Sequence, residues 1–420
     1  MKVFKFGGAS VNNVDRIKNL GILLQEYKAQ KTIIVISAFG KTTNALEKLT
    51  DAFFYGNKEQ AQLLFEQIKK QHLNFSNNLL VTHSLSCEAQ LNTFFTELEW
   101  LLHDNPLRQY DYYYDQIVCV GELLSSTIIS YYLNEIGIAN KWVDVRDIIR
   151  TDNNFRDSSI DWEITNTHIT KSILPLFEKT PFVITQGFIG ATDENESTTL
   201  GREGSDFTAA IFANLLNAES LTIWKDVPAI MNSDPKQFSD AKPIAKLNYT
   251  EIIEMAYYGA QVIHPKTIKP LQNKNIPLYV KCFLDPTLPG TIVDNHPVKN
   301  LPPIIVLKEN QVMMELSSKD FSFVEEKPIA ELFLLLEKLK LKPNLTQNGA
   351  ISILCVLDDS KEKIETLASA AASQFEVKLT KKLTLLTVRH YTDELVSQLT
   401  AGKNILLQQK TIETVQTLMQ

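Results

Sequence analysis

Five short stretches of this 420-residue chain gather residue types that handle anions and small zwitterions. In KFGGAS (5–10), Lys5 ends a strand-like run, and Gly7 and Gly8 follow with bare amides that an anion can approach closely. A lysine there reaches phosphate oxygens as a mobile point charge, although the same residues also suit an ordinary tight turn. SAFGKTTNAL (37–46) follows the run TIIVIS directly. Hydroxyls at the C-terminal end of a strand are where α/β proteins place ligand contacts, yet Thr42, Thr43 and Asn44 are equally good helix caps. In VGELLSS (120–126), Glu122 sits among apolar neighbours. On a buried face that carboxylate needs an arginine or a ligand ammonium; on an exposed face it needs nothing. TTLGREGSDFTAA (198–210) is a glycine turn feeding a helix, an arrangement that holds phosphate, but with a carboxylate, Glu203, in its middle. Arg202 can grip a carboxylate or phosphate bidentately, while Asp206 either caps the helix or faces a phosphoryl group or its bound metal. WKDVPAIMNSDPK (224–236) leaves another strand, which puts Lys225, Asp226 and Lys236 at a ligand edge by the same rule. Each motif alone is weak. Together they offer several cations and two interior carboxylates, a set suited to a small zwitterion plus a polyphosphate.

Residues at strand ends need strands to hold them. Over the first ~300 residues, strand-like runs (3–6, 32–37, 142–145, 182–186, 221–224 and 276–283) alternate with helical patterns such as 13–30 and 206–218, the signature of a layered α/β sheet. A further helix runs from about Asp115 to Gly137. Residues 45–110 carry Leu, Phe and Gln at helical spacing without a convincing strand, so they read as a helical excursion whose aromatics pack a core. Pro, Gly and Asn cluster at 285–303, which reads as a linker. Beyond it, the order β-α-β-β-α from residue 311 is followed by a second copy that stops after its third strand at Gln420. This is a repeated small α+β module with its last copy shortened.

Bulk properties narrow the classes of partner. With 44% hydrophobic and 22% charged residues the chain is globular, and 420 residues supply two or three domains with real cores. A net charge of −7 argues against nucleic acid as a partner. The four cysteines are widely separated, with neither a CxxC pair nor a nearby histidine pair, which points to a reducing, cytoplasmic setting without disulfides or zinc. The sequence shows no signal peptide and no stretch approaching a membrane span, so no membrane partner is expected.

Read as a set, KFGGASV, SAFGKTTNAL, VGELLSS, FVITQGFIG, TTLGREGSDFTAA, WKDVPAIMNSDPK and GAQVIHPKTIKPL resemble the successive signature blocks of aspartokinases, in the family's order and approximate spacing. The resemblance implies an amino-acid-kinase α/β/α domain over 1–295 and paired βαββαβ ACT-like regulatory modules over 304–420. It implies transfer of the ATP γ-phosphoryl group to the side-chain carboxylate of L-aspartate, with Mg2+ carried by the nucleotide and no metal site of the protein's own. By that resemblance Lys5 bridges the transferring phosphoryl group, with Gly7, Gly8 and Ser10 adding backbone and hydroxyl contacts. Thr43, Glu122, Arg202 and Ser205 hold aspartate, Glu122 facing its ammonium and Arg202 a carboxylate. Asp206 organises the lysine, and Lys225, Asp226, Met231, Lys236, Gln261 and Val262 border the nucleotide. The tail implies a homodimer or higher homo-oligomer.

The chain departs from the family pattern at Ala9, Glu203, Lys225, Met231, Lys236 and Gln261, mostly on the nucleotide side. An ion pair between Glu203 and Lys225 is expected to offset the glutamate's repulsion of phosphate. The turn TQNGA (346–350) lacks the Thr/Ser-Glu character of lysine-sensitive members, which points away from lysine or threonine feedback. Two other readings stand beside the first: another amino-acid kinase, of glutamate or acetylglutamate type, and a catalytically weakened paralogue that binds an amino acid and acts through its tail.

Overall fold

The computed structural model describes every residue except Gln261, Phe321, Val324 and Glu325. The chain divides into two compact units, one of Met1–Ile230, Pro243–Ile253 and Val262–Val298, the other of Met231–Lys242, Glu254–Gln261 and Lys299–Gln420.

The first unit is built on an eight-stranded sheet. Its strands are β1 (Lys2–Phe6), β2 (Thr32–Ile36), β3 (Asn140–Trp142) and β4 (Phe182–Gln186), followed, past a separate small hairpin of β5 (Ile189–Ala191) and β6 (Ser197–Thr199), by β7 (Ser220–Lys225), β8 (Lys246–Asn248), β9 (Leu278–Cys282) and β10 (Thr291–Asp294). The order across the sheet is β3-β4-β2-β1-β7-β9-β10-β8. Only the β9–β10 pair is antiparallel among the described residues. Every residue of β2 and β4 is buried, as expected of parallel strands covered on both faces. The β10 strand lies inside the 285–303 stretch that reads as a linker, pairing with β8 and β9. Its few residues between Pro/Gly turns carry too little period-2 signal to stand out as a strand.

Helix α1 (Val14–Gln25) joins β1 to β2, and five helices separate β2 from β3: α2 (Thr42–Phe54), α3 (Lys58–Leu79), α4 (Ser84–His103), α5 (Tyr110–Val118) and α6 (Val120–Glu135). The helical excursion of residues 45–110 is therefore present. Its α3 helix buries Ala61, Phe65, Ile68, His72, Ser76 and Leu79, one stripe at three- and four-residue spacing. Helices α5 and α6 meet at Cys119 and form a 26-residue helical run long and apolar enough to cross a membrane, contrary to the reading of the sequence. That run is a core helix, since 89% of its apolar window is buried inside the protein. Next come α7 (Trp162–His168), α8 (Gly204–Leu215) leading into β7, and α9 (Tyr249–Tyr258) and α10 (Pro265–Asn273) between β8 and β9.

The second unit carries a six-stranded sheet formed by β11 (Ile304–Ser318), β12 (Leu345–Asn348), β13 (Ser352–Asp358), β14 (Phe375–Arg389), β15 (Ile405–Lys410) and β16 (Thr414–Met419), in the order β12-β13-β11-β14-β16-β15. Helices α11 (Glu326–Lys338), α12 (Lys361–Ala371) and α13 (Asp393–Leu399) connect the strands. The two 15-residue strands β11 and β14 are shared between two modules. Residues 311–318 of β11 pair with 375–383 of β14, and residues 304–308 pair with 385–389. The last module, three strands long in the sequence, thus receives a fourth strand from upstream of the first module in the same chain. Sequence reading starts that strand at residue 311. A register shift lies between Lys308 and Gln311, with Asn310 at φ 54°, and such a bulge breaks the strand pattern exploited in reading the sequence.

Candidate active site

Lys5, at the C-terminal part of β1, sends its ammonium 2.6 Å from the Asp206 carboxylate, and both side chains are largely buried. Asp206 stands in the first turn of α8 and does not cap it; its carboxylate faces Lys5, the residue that the family resemblance has it organise. The glycine turn that follows β1 lies tightly against the loop after β2. A methyl group at Gly8 would come within 2.7 Å of the Ala38 carbonyl oxygen, so only glycine fits without displacing backbone. Gly7 and Gly8 thereby present backbone beside Lys5. The Ser10 hydroxyl is turned inward and donates to the Trp224 carbonyl at 3.1 Å, which ties the turn to β7 rather than offering the hydroxyl to a ligand.

Glu122, on α6, is 3% exposed. The amide of Ala38 donates to its Oε1 at 3.3 Å, while Oε2 has no partner among the described residues. Burial pushes its pKa from the ordinary 4.5 up to about 8, against the pull of the Ala38 amide and the positive charge of Lys5. A buried carboxyl with one oxygen unsatisfied is a socket for a cation with hydrogens to give. Thr42 and Thr43 begin α2, but among the described residues no side chain caps that helix and the buried Thr42 hydroxyl has no partner; Thr43 lines the site.

Lys5, Gly8, Thr43, Glu122, Arg202, Ser205 and Asp206 line one cavity of about 480 Å³. Six candidates for catalysis and acceptor binding, spread over 202 residues of sequence from Lys5 to Asp206, are thus brought to one wall-to-wall space beside the glycine turn. The GREGS turn is wound by positive φ at Gly201 (77°) and at Glu203 (56°). The amides of Asp206 and Phe207 donate to the Glu203 carbonyl, closing the start of α8. Glu203 also lines the cavity, and its side chain is exposed. The expected pair with Lys225 is not formed. The Lys225 ammonium donates instead to the backbone carbonyl of Val262 at 2.6 Å, because the carbonyl lies within reach of a lysine leaving the end of β7. Glu203 acts on His264, whose pKa is lowered mainly by burial, with the Glu203 charge drawing it back upward.

On the expected nucleotide side, Lys225 and Val262 are therefore joined, and Asp226 is exposed just beyond β7. Met231 and Lys236 fall in the 231–242 segment of the second unit, and Gln261 lies outside the described residues.

The cavity also holds residues that sequence reading missed: Glu47, Tyr114, Arg156 and Phe188. The Tyr114 hydroxyl donates to Glu47 at 2.6 Å, and burial followed by that contact pushes its pKa well up. Behind it, Asp115 is wholly buried and accepts from the Thr199 amide (2.8 Å), the Thr199 hydroxyl (2.7 Å) and the Arg156 amide (3.0 Å). Burial still raises Asp115 to about 6. The one signal available was a charged residue inside the apolar run of α5 and α6.

Residues 1–282 match the amino acid kinase family. Aspartokinase 1, chloroplastic, of Arabidopsis thaliana is 33% identical over 375 residues, which cover 86% of this chain and 63% of that protein. The chain thus spans under two thirds of the length of that relative. The lysine-sensitive aspartokinase 3 of Escherichia coli (strain K12) is 31% identical over 361 residues, 85% of this chain and 78% of that protein. The solved structure of E. coli aspartokinase III in complex with aspartate and ADP (R-state) matches with a TM-score of 0.85 at 26% identity, covering 100% of this chain and 96% of that one. With residues 1–282 matched by the family and the Lys5–Asp206 pair, the buried Glu122 and the GREGS turn set around one cavity, the chain belongs to the amino acid kinase family and, within it, to the aspartokinases.

Proposed function

We propose that the protein transfers the γ-phosphoryl group of MgATP to the side-chain carboxylate of L-aspartate, giving 4-phospho-L-aspartate. The observation that carries this reading is the cavity itself, with the Lys5–Asp206 pair and the half-satisfied carboxyl of Glu122 in one space. A carboxylate acceptor is already a nucleophile at neutral pH, so no strong base is required, and positioning with charge neutralisation supplies the rate. Glu122 takes the acceptor's ammonium, Arg202 a carboxylate, and Thr43 and Ser205 add hydroxyls. Lys5 neutralises charge on the transferring phosphoryl group, and Asp206 holds the Lys5 ammonium in place. The Gly7–Gly8 backbone and the start of α8 suit phosphate oxygens. Mg2+ enters as part of the nucleotide substrate. Lys225, Asp226, Met231, Lys236, Gln261 and Val262 are assigned to the nucleotide border by family resemblance, and of these only Gln261 lies outside the described residues. The four unpaired cysteines support a cytoplasmic location, and the two-module sheet of the second unit supports self-association as a homo-oligomer.

The test is ADP release with L-aspartate, L-glutamate or no acceptor. Aspartate-dependent turnover is expected, and Lys5→Ala or Asp206→Ala should reduce kcat by about a thousandfold or more with the fold retained by circular dichroism. Turnover without aspartate, or near wild-type turnover in either variant, overturns the assignment.

A further inference from the structure

Arg156 occupies a place that its backbone does not favour. It has φ 68°, in the left-handed region that a side chain with Cβ enters only at a cost, yet it lines the cavity that Lys5 and Glu122 share. The guanidinium is laid over the Tyr114 ring at 4.3 Å from its centroid and 5.6 Å from that of Tyr110. Its one carboxylate partner among the described residues, Asp111, is 3.0 Å away, and both side chains are nearly half exposed. The backbone is fixed from the other side, where the Arg156 amide donates to the buried Asp115. Tyr114 is itself held by its hydroxyl bond to Glu47. A planar cation is thus stacked on a braced ring at the edge of the cavity, and its solvent-exposed pair with Asp111 is a weak interaction that leaves other donors of the five-donor fork free.

We propose that Arg156 is a specificity-determining residue that binds, together with Arg202, the carboxylate of the acceptor that does not react. The chemistry recognised is an amino acid bearing a second carboxylate. The acceptor needs three things at once: its ammonium answered, its reacting carboxylate aimed at the phosphoryl group, and its other carboxylate neutralised. Glu122 answers the first and Lys5 lies at the second. Two guanidiniums on the cavity wall answer the third, and a planar fork matches a carboxylate geometrically where a lysine would offer only a point charge. Stacking on Tyr114 pre-orients the fork, so little side-chain freedom is lost on binding.

The inference rests on the aspartokinase reading, and its test uses the full-length protein with Arg156→Gly and Arg156→Lys. Glycine accepts φ 68° freely, so the backbone should be kept. The readouts are the KM of L-aspartate and the competitive Ki of β-alanine, which keeps the amine and one carboxylate but lacks the second. Arg156→Gly should raise the aspartate KM about tenfold or more, the size of a lost charge-assisted hydrogen bond, with kcat within about twofold and the β-alanine Ki unchanged. Arg156→Lys should recover only part of the loss. Equal weakening of both ligands would mean a structural tie only, and no change in the aspartate KM would leave Arg156 without a role; either overturns the proposal. Wild-type protein without aspartate-dependent turnover would instead remove the underlying reading, and the inference with it.

Discussion

Aspartate binding should expel a proton from Glu122. In the empty site burial holds this carboxyl at about 8, against an ordinary 4.5. At pH 7 roughly 0.9 of the molecules therefore carry the proton, and ionising the group there costs about 1.4 kcal/mol. An ammonium about 4 Å from the carboxylate returns about 4 kcal/mol at the effective dielectric of a protein site, so the ion pair wins and the proton leaves. Binding should then release about 0.9 proton at pH 7 and about 0.1 at pH 9, and the aspartate dissociation constant should fall roughly fiftyfold from pH 6 to pH 8. Asp115 contributes little, since a carboxyl raised to about 6 is mostly ionised at pH 7 and is already bonded to three donors. Titration calorimetry in two buffers of different ionisation enthalpy measures the count directly. Identical apparent enthalpies at pH 7 would refute the reasoning, because they would mean that Glu122 is already charged or does not meet the ammonium. The same shift has a consequence for stability. A carboxyl whose pKa is raised by folding favours the native state below pH 4.5, and that advantage is lost as the pH rises through about 8. Glu122→Gln should therefore abolish proton release and weaken aspartate binding. It should also make the ligand-free protein more stable than wild type at pH 8, by up to about 4 kcal/mol in denaturant unfolding.

Two further outcomes follow from the turn and from the carboxyl behind it. Glu203→Gly removes a side chain from φ 56° and should stabilise the protein by about 0.5–1 kcal/mol after the added freedom of the unfolded chain is subtracted, with the apparent ATP affinity changed less than about twofold because Lys225 is bonded elsewhere; a large loss of ATP affinity would show that Glu203 and Lys225 act together after all. Asp115→Asn places amide hydrogens against donors from Thr199 and Arg156 and should cost roughly 2–3 kcal/mol in denaturant unfolding. It should also raise the aspartate KM, since Asp115 fixes the Arg156 backbone; an unchanged KM alongside a loss of stability would confine Asp115 to the fold.

The sequence made the site legible wherever a local rule constrained it. Gly8 is forced by a 2.7 Å approach of backbone, Lys5 and Lys225 leave the ends of parallel strands, and Asp206 opens a helix after a glycine turn. Each of those leaves a mark within a few residues. Glu122 was visible for a different reason, as a charge in an apolar helix, but its burial could be read only once α6 was seen enclosed on all sides. What escaped depends on contacts distant in sequence. Arg156 reaches the cavity because Asp115, 41 residues earlier, accepts from its amide, and Tyr114 matters because it meets Glu47, 67 residues earlier. A charged residue in a polar loop such as TDNNFRDSS carries no period and no motif, so nothing local separates it from a solvated surface arginine. The same limit explains the tail. A strand at 304–308 is paired with residues about 80 positions later, and the bulge at Asn310 hides its continuity with the strand that follows. Pairings of this kind are set by the closing of the sheet rather than by any window of sequence, so they bind distant segments into one unit while leaving each segment locally unremarkable. For the site, the consequence is a difference in legibility: Lys5, Glu122 and Asp206 lie in motifs, whereas Arg156 and Tyr114 line the same cavity through long-range contacts that no motif announces.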